Sequence, residues 1–363
     1  MDKKIALALS GGGYRASLFH AGALIRLAEL GLLSKISKVT AVSGGAITAG
    51  IWADDLINHP AGTDTERAIR IRDKVLALTK HSIDSKSIIG GVLNPFKDVN
   101  EVLVGSYKKH LFNNNFALTK LPISPYFTFC ATNLQSGRQV YLDRKGIYDY
   151  TIGQNTKVVS ICEAVAASSA FPPFLSPMLI DVDSTAWTKS EFSSSRNFPT
   201  ELLLTDGGAY DNLGLESIWD EKEFDFILVS DAGAPFKYNP KIKTDWLSQS
   251  NIALEIAIDQ ARSVRKRWLI EQFKEEKKKG AYWGISSQVE NFKLDNAMKV
   301  DQKKSDALKN VPTRLAPFDS GVDLQLINWG YAISDTALKK WCGELVNPVT
   351  TSAKWPYPEN SLS

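Results

Sequence analysis

Two regimes of apolar spacing alternate along the first sixty residues. "KIALALS", Lys4 to Ser10, is a short apolar run of the kind that forms a buried strand, and glycines follow it at once. From Ser17 to Leu30 the residues Leu18, Ala21, Leu24, Ile25 and Ala28 recur at helical spacing, and Gly31 stands where a glycine ends a helix. "SKVTAV" then predicts a second strand and "GAITAGIWADDL" a second helix. Strand, glycine turn, helix, strand, helix is the beginning of a parallel sheet with helices packed on it.

Residues 58 to 125 are mixed and polar, with helical spacing around Arg67 to Thr79 and a break at "GGVLNPF"; they read as helices capping the sheet. "YFTFCATN" and "RQVYLD" predict strands joined by a turn at "LQSG", and "SICEAVAASSAFPPF" predicts a helix ended by Pro172 and Pro173. The sheet resumes with "LLLTDGG" and "FDFILVSDAG". Between Asp183 and Pro199 a polar stretch carries Trp187, Phe192 and Phe198, and reads as a mobile surface loop. From Asn251 to Lys279 the pattern is helical, with Ala257, Ala261, Val264 and Trp268 on one face and Arg262, Arg265, Lys266 and Arg267 on the other. That basic face reads as solvated, with contact to anionic lipid as the second reading. No repeat or linker divides the chain, so a single domain over residues 1–363 is expected.

Composition narrows the picture. A net charge of +3 over 363 residues is too weak to imply nucleic acid, yet it does not oppose an anionic membrane surface. Cys130, Cys162 and Cys342 are far apart and odd in number, which fits neither a disulfide framework nor a zinc site and points to a reducing compartment. The apolar run Ile5 to Leu9 is shorter than a signal peptide needs, and no unbroken apolar stretch spans a bilayer. A cytoplasmic protein is expected, at most peripheral to the membrane, with no metal or cofactor.

The candidate chemistry lies at three corners. "SGGGYRA" follows a strand and opens a helix, and Gly11, Gly13 and Ala16 match a dinucleotide-binding fingerprint. The acidic residue which that fingerprint requires at the end of the second strand is missing, since no Asp or Glu lies between Gly31 and Asp54. The bare N–H groups of such a turn, at the positive end of a helix dipole, instead suit a developing oxyanion. Arg15 either adds a charged donor there or holds the loop by a salt bridge.

In "AVSGG", Ser43 stands between a strand and a helix with small residues on both sides, as a nucleophile elbow requires. Ala41 replaces the first glycine of that pattern. The plain alternative is that Ser43 caps the following helix. The histidines are His20, His59, His81 and His110, so no histidine follows late enough for the Ser, acid, His order of α/β-hydrolases, and His20 falls in an apolar helical pattern that suggests a structural role. A base for Ser43 must then come from elsewhere. Asp206 in "LLLTDGGAYDNLG" sits at a strand end before two glycines, and it is either that base or an ordinary Asp-Gly turn.

Taken together, "GGGYRA", "AVSGGAITAG", "AASSAFPPFLSP" and "TDGGAYDNLG", spanning residues 5 to about 215, resemble the patatin-like phospholipase family, which is related to cytosolic phospholipase A2. The resemblance implies a three-layer α/β/α sandwich around a mainly parallel sheet. It also implies a Ser43–Asp206 catalytic dyad with an oxyanion hole from Gly11, Gly12, Gly13 and Arg15. The stretch Ala167 to Phe174 would pack beside the dyad, and Asn212 and Gly214 fit the residues after the family's Asp-Gly-Gly. The implied reaction is hydrolysis of a lipid ester, from membrane phospholipid or lysophospholipid, through an acyl-enzyme; Trp187, Phe192 and the basic helix are candidates for reaching the membrane. Two other readings remain: a latent lipase released by a partner or small messenger, as in some antiphage defence systems, with residues 240–363 as the control element, or a non-catalytic binding protein on the same fold.

Overall fold

The computed structural model describes residues 3–83, 97–172, 175–191, 193, 198–219, 223–346 and 352–363. Its centre is a run of parallel strands in the order β11 (Lys279–Gly284), β10 (Phe226–Asp231), β1 (Ile5–Leu9), β2 (Ile36–Val42) and β3 (Tyr126–Asn133). An antiparallel meander extends it through β4 (Arg138–Asp143), β5 (Gly146–Asp149), β6 (Gly153–Asn155) and β8 (Trp187–Lys189). The expected mainly parallel sheet is therefore the centre of a wider mixed one. β9 (Glu201–Asp206) pairs antiparallel with both β3 and β7 (Met178–Asp181).

Alternation along the strands makes the layers. Ile5, Leu7 and Leu9 face the larger core, beneath α1 (Gly13–Glu29), α2 (Gly44–Asn58) and α3 (Asp64–Leu78). Ala6, Ala8, Ile227 and Val229 face the opposite side, against Leu213 and Ile218 of the segment after β9 and Leu269 of a long helix. Both faces are covered, as a parallel sheet demands. α4 (Lys97–His110) and α5 (Ile161–Ser169) complete the first layer beside β3; α6 (Gly208–Asp211), α7 (Glu216–Trp219) and α8 (Trp246–Lys274) lie on the second side.

The last part of the chain is built into the first core. After the short α9 (Gln302–Leu308), α10 (Val322–Trp341) lies against α1 so closely that a Cβ on Gly22 would fall 1.9 Å from the Ile327 carbonyl, and one on Gly330 1.9 Å from that of Phe19. Arg26 and Asp335 form a wholly buried ion pair across the same contact at 2.7 Å.

The polar stretch after Asp183 departs from expectation. Trp187 opens strand β8, is 7% exposed and stacks on Phe198 with centroids 6.0 Å apart, while its indole N–H donates to the Pro199 carbonyl. An aromatic pair bridging the ends of the stretch buries the residue that a mobile loop would have exposed, so Trp187 is not available to a membrane. Phe192 lies outside the described residues. The long helix runs from Trp246 to Lys274, five residues earlier than the spacing suggested, because Asp245 caps it through the Ser248 N–H.

Candidate active site

Sheet register brings the two predicted corners together. One edge of β3 is taken by β4 along Thr128–Asn133; on the other, β2 pairs up to Val42 opposite Cys130, and β9 pairs from Asn133 down to Asp206 opposite Ala131. β2 and β9 thus run head to head along one edge, and Ser43 and Asp206 stand where they meet. Ala41 lies inside the β2 ladder, between Leu9 and Phe129, where alanine fits without strain.

Ser43 occupies φ 51°, ψ −118°, a backbone region that side chains rarely adopt, and makes no side-chain cap for α2. The capping alternative therefore fails. A residue held in this way at a strand-to-helix corner projects its side chain out of the sheet edge and stores backbone strain. The corner is held by Ser168 of α5, whose hydroxyl accepts from the Ser43 N–H at 2.9 Å and donates to the Cys130 carbonyl at 2.6 Å. The Ala170 carbonyl accepts from the Asp206 N–H at 2.9 Å, and the Ser168 carbonyl from the Gly207 N–H at 3.3 Å. These contacts are why small residues cluster in "AASSA"; Pro173 and Phe174, in the same stretch, lie outside the described residues.

Asp206 is 2% exposed. Its Oδ1 accepts from the Gly208 N–H at 2.7 Å, whereas Oδ2 is buried without a hydrogen bond of normal geometry. Burial pushes the carboxyl up to about 6, opposed by the nearby Ser43 hydroxyl and the Gly208 N–H. The hydroxyl is thus close enough to influence the carboxylate while Oδ2 keeps an open lone pair. Such a group is a usable base near neutral pH.

The glycine turn differs from expectation in one donor. The Gly11 N–H is engaged by the Asn212 carbonyl at 3.0 Å, so it is removed from the oxyanion donors, while neither Gly12 nor Gly13 donates to any described residue. Both adopt positive φ, 145° and 59°, which leaves their N–H groups at the start of α1. Arg15 takes neither predicted role cleanly. It is buried, but it holds the loop through carbonyls rather than a salt bridge, with Nε donating to Ala232 at 3.1 Å and Nη1 to Val311 at 2.6 Å. Burial and the charge of Arg262 lower it to about 10, partly offset by Asp231, so it remains cationic on the cavity wall. His20 is structural: Nε2 lies 2.9 Å from the Ser10 carbonyl and must carry the proton, so Nδ1 accepts from the Ser230 hydroxyl at 2.8 Å. Burial lowers its pKa to about 4, which keeps the ring neutral.

Ser43, Asp206, Gly11, Gly12 and Arg15 open into a cavity of about 680 Å³. Its far wall comes from the segment after β10 and from α8 and residues 311–313, including Phe236, Ile242, Ile252, Ile258 and Pro312. None of these was singled out by sequence, because the wall has no motif and assembles from separate segments. Two arginines of the basic face of α8 are not free, while Arg267 is exposed. Arg262 is buried, donating to both oxygens of Asp231 at 3.2 Å and pairing with Asp259; Arg265 pairs with Glu216 at 3.0 Å. Burial alone would raise Asp231, but Arg262, the Tyr282 hydroxyl and the Gly233 N–H hold it below its ordinary value. These arginines fasten the helix to the sheet, which removes them as lipid contacts.

An elbow serine and a buried carboxylate thus meet beneath a glycine turn on an α/β/α sandwich. The chain belongs to the patatin-like phospholipase family, whose model matches residues 7–219. Among solved structures it is similar to human GIVD cytosolic phospholipase A2 in complex with methyl gamma-linolenyl fluorophosphonate, at 12% identity and TM-score 0.50, covering 92% of this chain and 58% of that one. A second structure of the human enzyme matches at 13% identity and TM-score 0.44, covering 69% of this chain and 50% of that one. VipD from Legionella pneumophila matches at 14% identity and TM-score 0.42, covering 93% and 67%. The chain thus spans about half the length of the human structures it matches. No curated protein matches it. Among the described residues, no helix is long and apolar enough to cross a membrane.

Proposed function

We propose that this chain hydrolyses a carboxylic ester of a phospholipid or lysophospholipid, with Ser43 as nucleophile and Asp206 as its base. What carries the reading is the buried, unbonded Oδ2 of Asp206 beside a serine held in a strained elbow. Ser43 Oγ attacks the acyl carbonyl while Asp206 takes its proton, and the oxyanion is received by the N–H groups of the Gly12–Gly13 turn, of which Gly12 lines the cavity together with Arg15. The protonated Asp206 then gives its proton to the leaving alcohol. Water, deprotonated by Asp206, attacks the Ser43 acyl ester; the acyl–Oγ bond breaks, Asp206 returns the proton to Ser43 Oγ, and the fatty acid is released.

The cavity supports an acyl substrate. Its volume falls within the range of small-molecule sites, and its far wall is mostly apolar, with Lys237, Asn239 and Glu255 among the aliphatic and aromatic side chains. On this reading residues 240–363 belong to the same domain and build the substrate wall. The three buried, unbridged cysteines accord with a reducing compartment.

The test is turnover of a soluble short-chain ester by Ser43→Ala and Asp206→Asn, with circular dichroism to verify folding. Each is expected to lower kcat/KM by about a thousandfold or more, and a folded variant that keeps roughly a tenth of the activity overturns the assignment.

A further inference from the structure

The rim of the cavity is apolar, exposed and basic at once. From Gly233 to Thr244 the chain reads "GAPFKYNPKIKT", with three lysines and no carboxylate. Tyr238 is 89% exposed and Trp246, just beyond, 78%; Phe236, Ile242 and Leu247 are exposed as well. The patch continues along the first half of α8, where Ile256 is exposed and Ile252 and Ile258 are only half covered. Of the 29 residues of that helix only Arg262 and Leu269 are buried. A helix start carrying this much aliphatic surface without a covering layer is unusual on a soluble protein and marks a binding face.

We propose that this face, centred on Trp246 and flanked by Lys241 and Lys243, seats the protein on a bilayer containing anionic lipid, with the cavity mouth against the membrane. The inference rests on the lipid-hydrolase reading for its purpose, but not for its evidence. Tryptophan and tyrosine favour the boundary between headgroups and acyl chains, and lysines add attraction to an anionic leaflet. Lys241 and Lys243 make no salt bridge among the described residues, and the nearby Asp245 is engaged in capping α8. Phe236, Tyr238, Ile242 and Ile252 belong both to the exposed face and to the cavity lining. An acyl chain leaving the bilayer would therefore meet a mostly apolar surface on its way to Ser43, interrupted by Lys237, Asn239 and Glu255. A second copy of the chain fits less well, because an isologous pairing would set the lysine-bearing segment against itself.

The experiment is flotation of the purified protein with phosphatidylcholine vesicles with and without phosphatidylglycerol, in parallel with turnover of a soluble short-chain ester. Wild type should bind the anionic vesicles more strongly. Lys241→Glu with Lys243→Glu should weaken that binding by about tenfold or more, and Trp246→Ala with Leu247→Ala by a similar factor on both vesicle types. Neither pair lines the cavity, so soluble-ester turnover should not change. Ser43→Ala should bind as wild type does. Anionic-vesicle binding that both double variants weaken, with no ester turnover in wild type, would leave the docking face standing and remove the hydrolase reading. Absence of binding to anionic vesicles, or binding unaffected by both double variants, overturns the proposal. So does a wild-type dimer that Trp246→Ala with Leu247→Ala converts to monomer while vesicle binding is absent.

Discussion

Ser43 and Asp206 reach the cavity from opposite directions along one edge of β3: Val42 pairs with Cys130, and the next β3 residue, Ala131, pairs with Asp206. Their approach is fixed by the register of a sheet rather than by two loops. Rigid elements of this kind hold reacting groups to the small tolerances that proton transfer requires.

The carboxylate's raised pKa sets the pH response. On the proposed mechanism Asp206 must be ionised to accept the serine proton, and burial pushes its pKa up to about 6. With an uncharged ester, kcat/KM should therefore be flat above that value and fall about tenfold per pH unit below it. An acid limb near pH 4, the ordinary carboxylate range, would mean that burial does not raise this carboxyl.

The elbow strain predicts a stability signature opposite in sign to activity. At φ 51°, ψ −118° a glycine rests without the Cβ conflict that serine and alanine share. Ser43→Gly should unfold at higher denaturant than Ser43→Ala, by about 1–2 kcal/mol, while both are inactive. Urea titration of the two variants checks this; equal stability would argue that the corner is relaxed.

Ser168 holds the elbow without lining the cavity. Ser168→Ala removes the acceptor of the Ser43 N–H and the donor to the Cys130 carbonyl. Stability should fall by about 1–3 kcal/mol and kcat more than KM, because the nucleophile loses its position rather than the substrate its pocket. A change confined to KM would contradict this role.

The contact of α10 with α1 makes the C-terminal third part of the fold. Gly330→Ala would press a methyl group onto the Phe19 carbonyl, and the helices must part. A loss of about 3 kcal/mol or more is expected in chemical denaturation. Gly105→Ala, on an open face of α4 with nothing within 4 Å, should instead be neutral or stabilising.

Legibility in the sequence tracked how local each feature is. The strand, turn and helix units around Gly11–Gly13 and Ser43 are written in consecutive residues, and the elements there begin within a few positions of where spacing places them. Asp206 was legible because a strand end and two glycines mark it. What spacing does not carry is which donor a distant residue consumes: the Gly11 N–H is taken by Asn212, about two hundred positions away. The same holds for Arg262 and Arg265 of α8, which looked solvated on a helical wheel and turn inward to Asp231 and Glu216, while Arg267 of the same face is exposed as expected. Trp187 misled for a related reason, since polar neighbours suggested exposure while its ring found Phe198 across the stretch. The cavity wall from residues 233–258 has no motif at all and emerges only when the chain folds.

The central claim is that Ser43 is a nucleophile activated by Asp206, and covalent labelling tests it most directly. The folded protein would be treated with a lipid-like fluorophosphonate and the adduct located by peptide mass mapping, in wild type and in Asp206→Ala. The account predicts one adduct, on Ser43, that forms readily in wild type and is lost or strongly slowed without Asp206. An adduct on another residue, labelling of Ser43 that is indifferent to Asp206, or no labelling of the folded wild-type protein would contradict it.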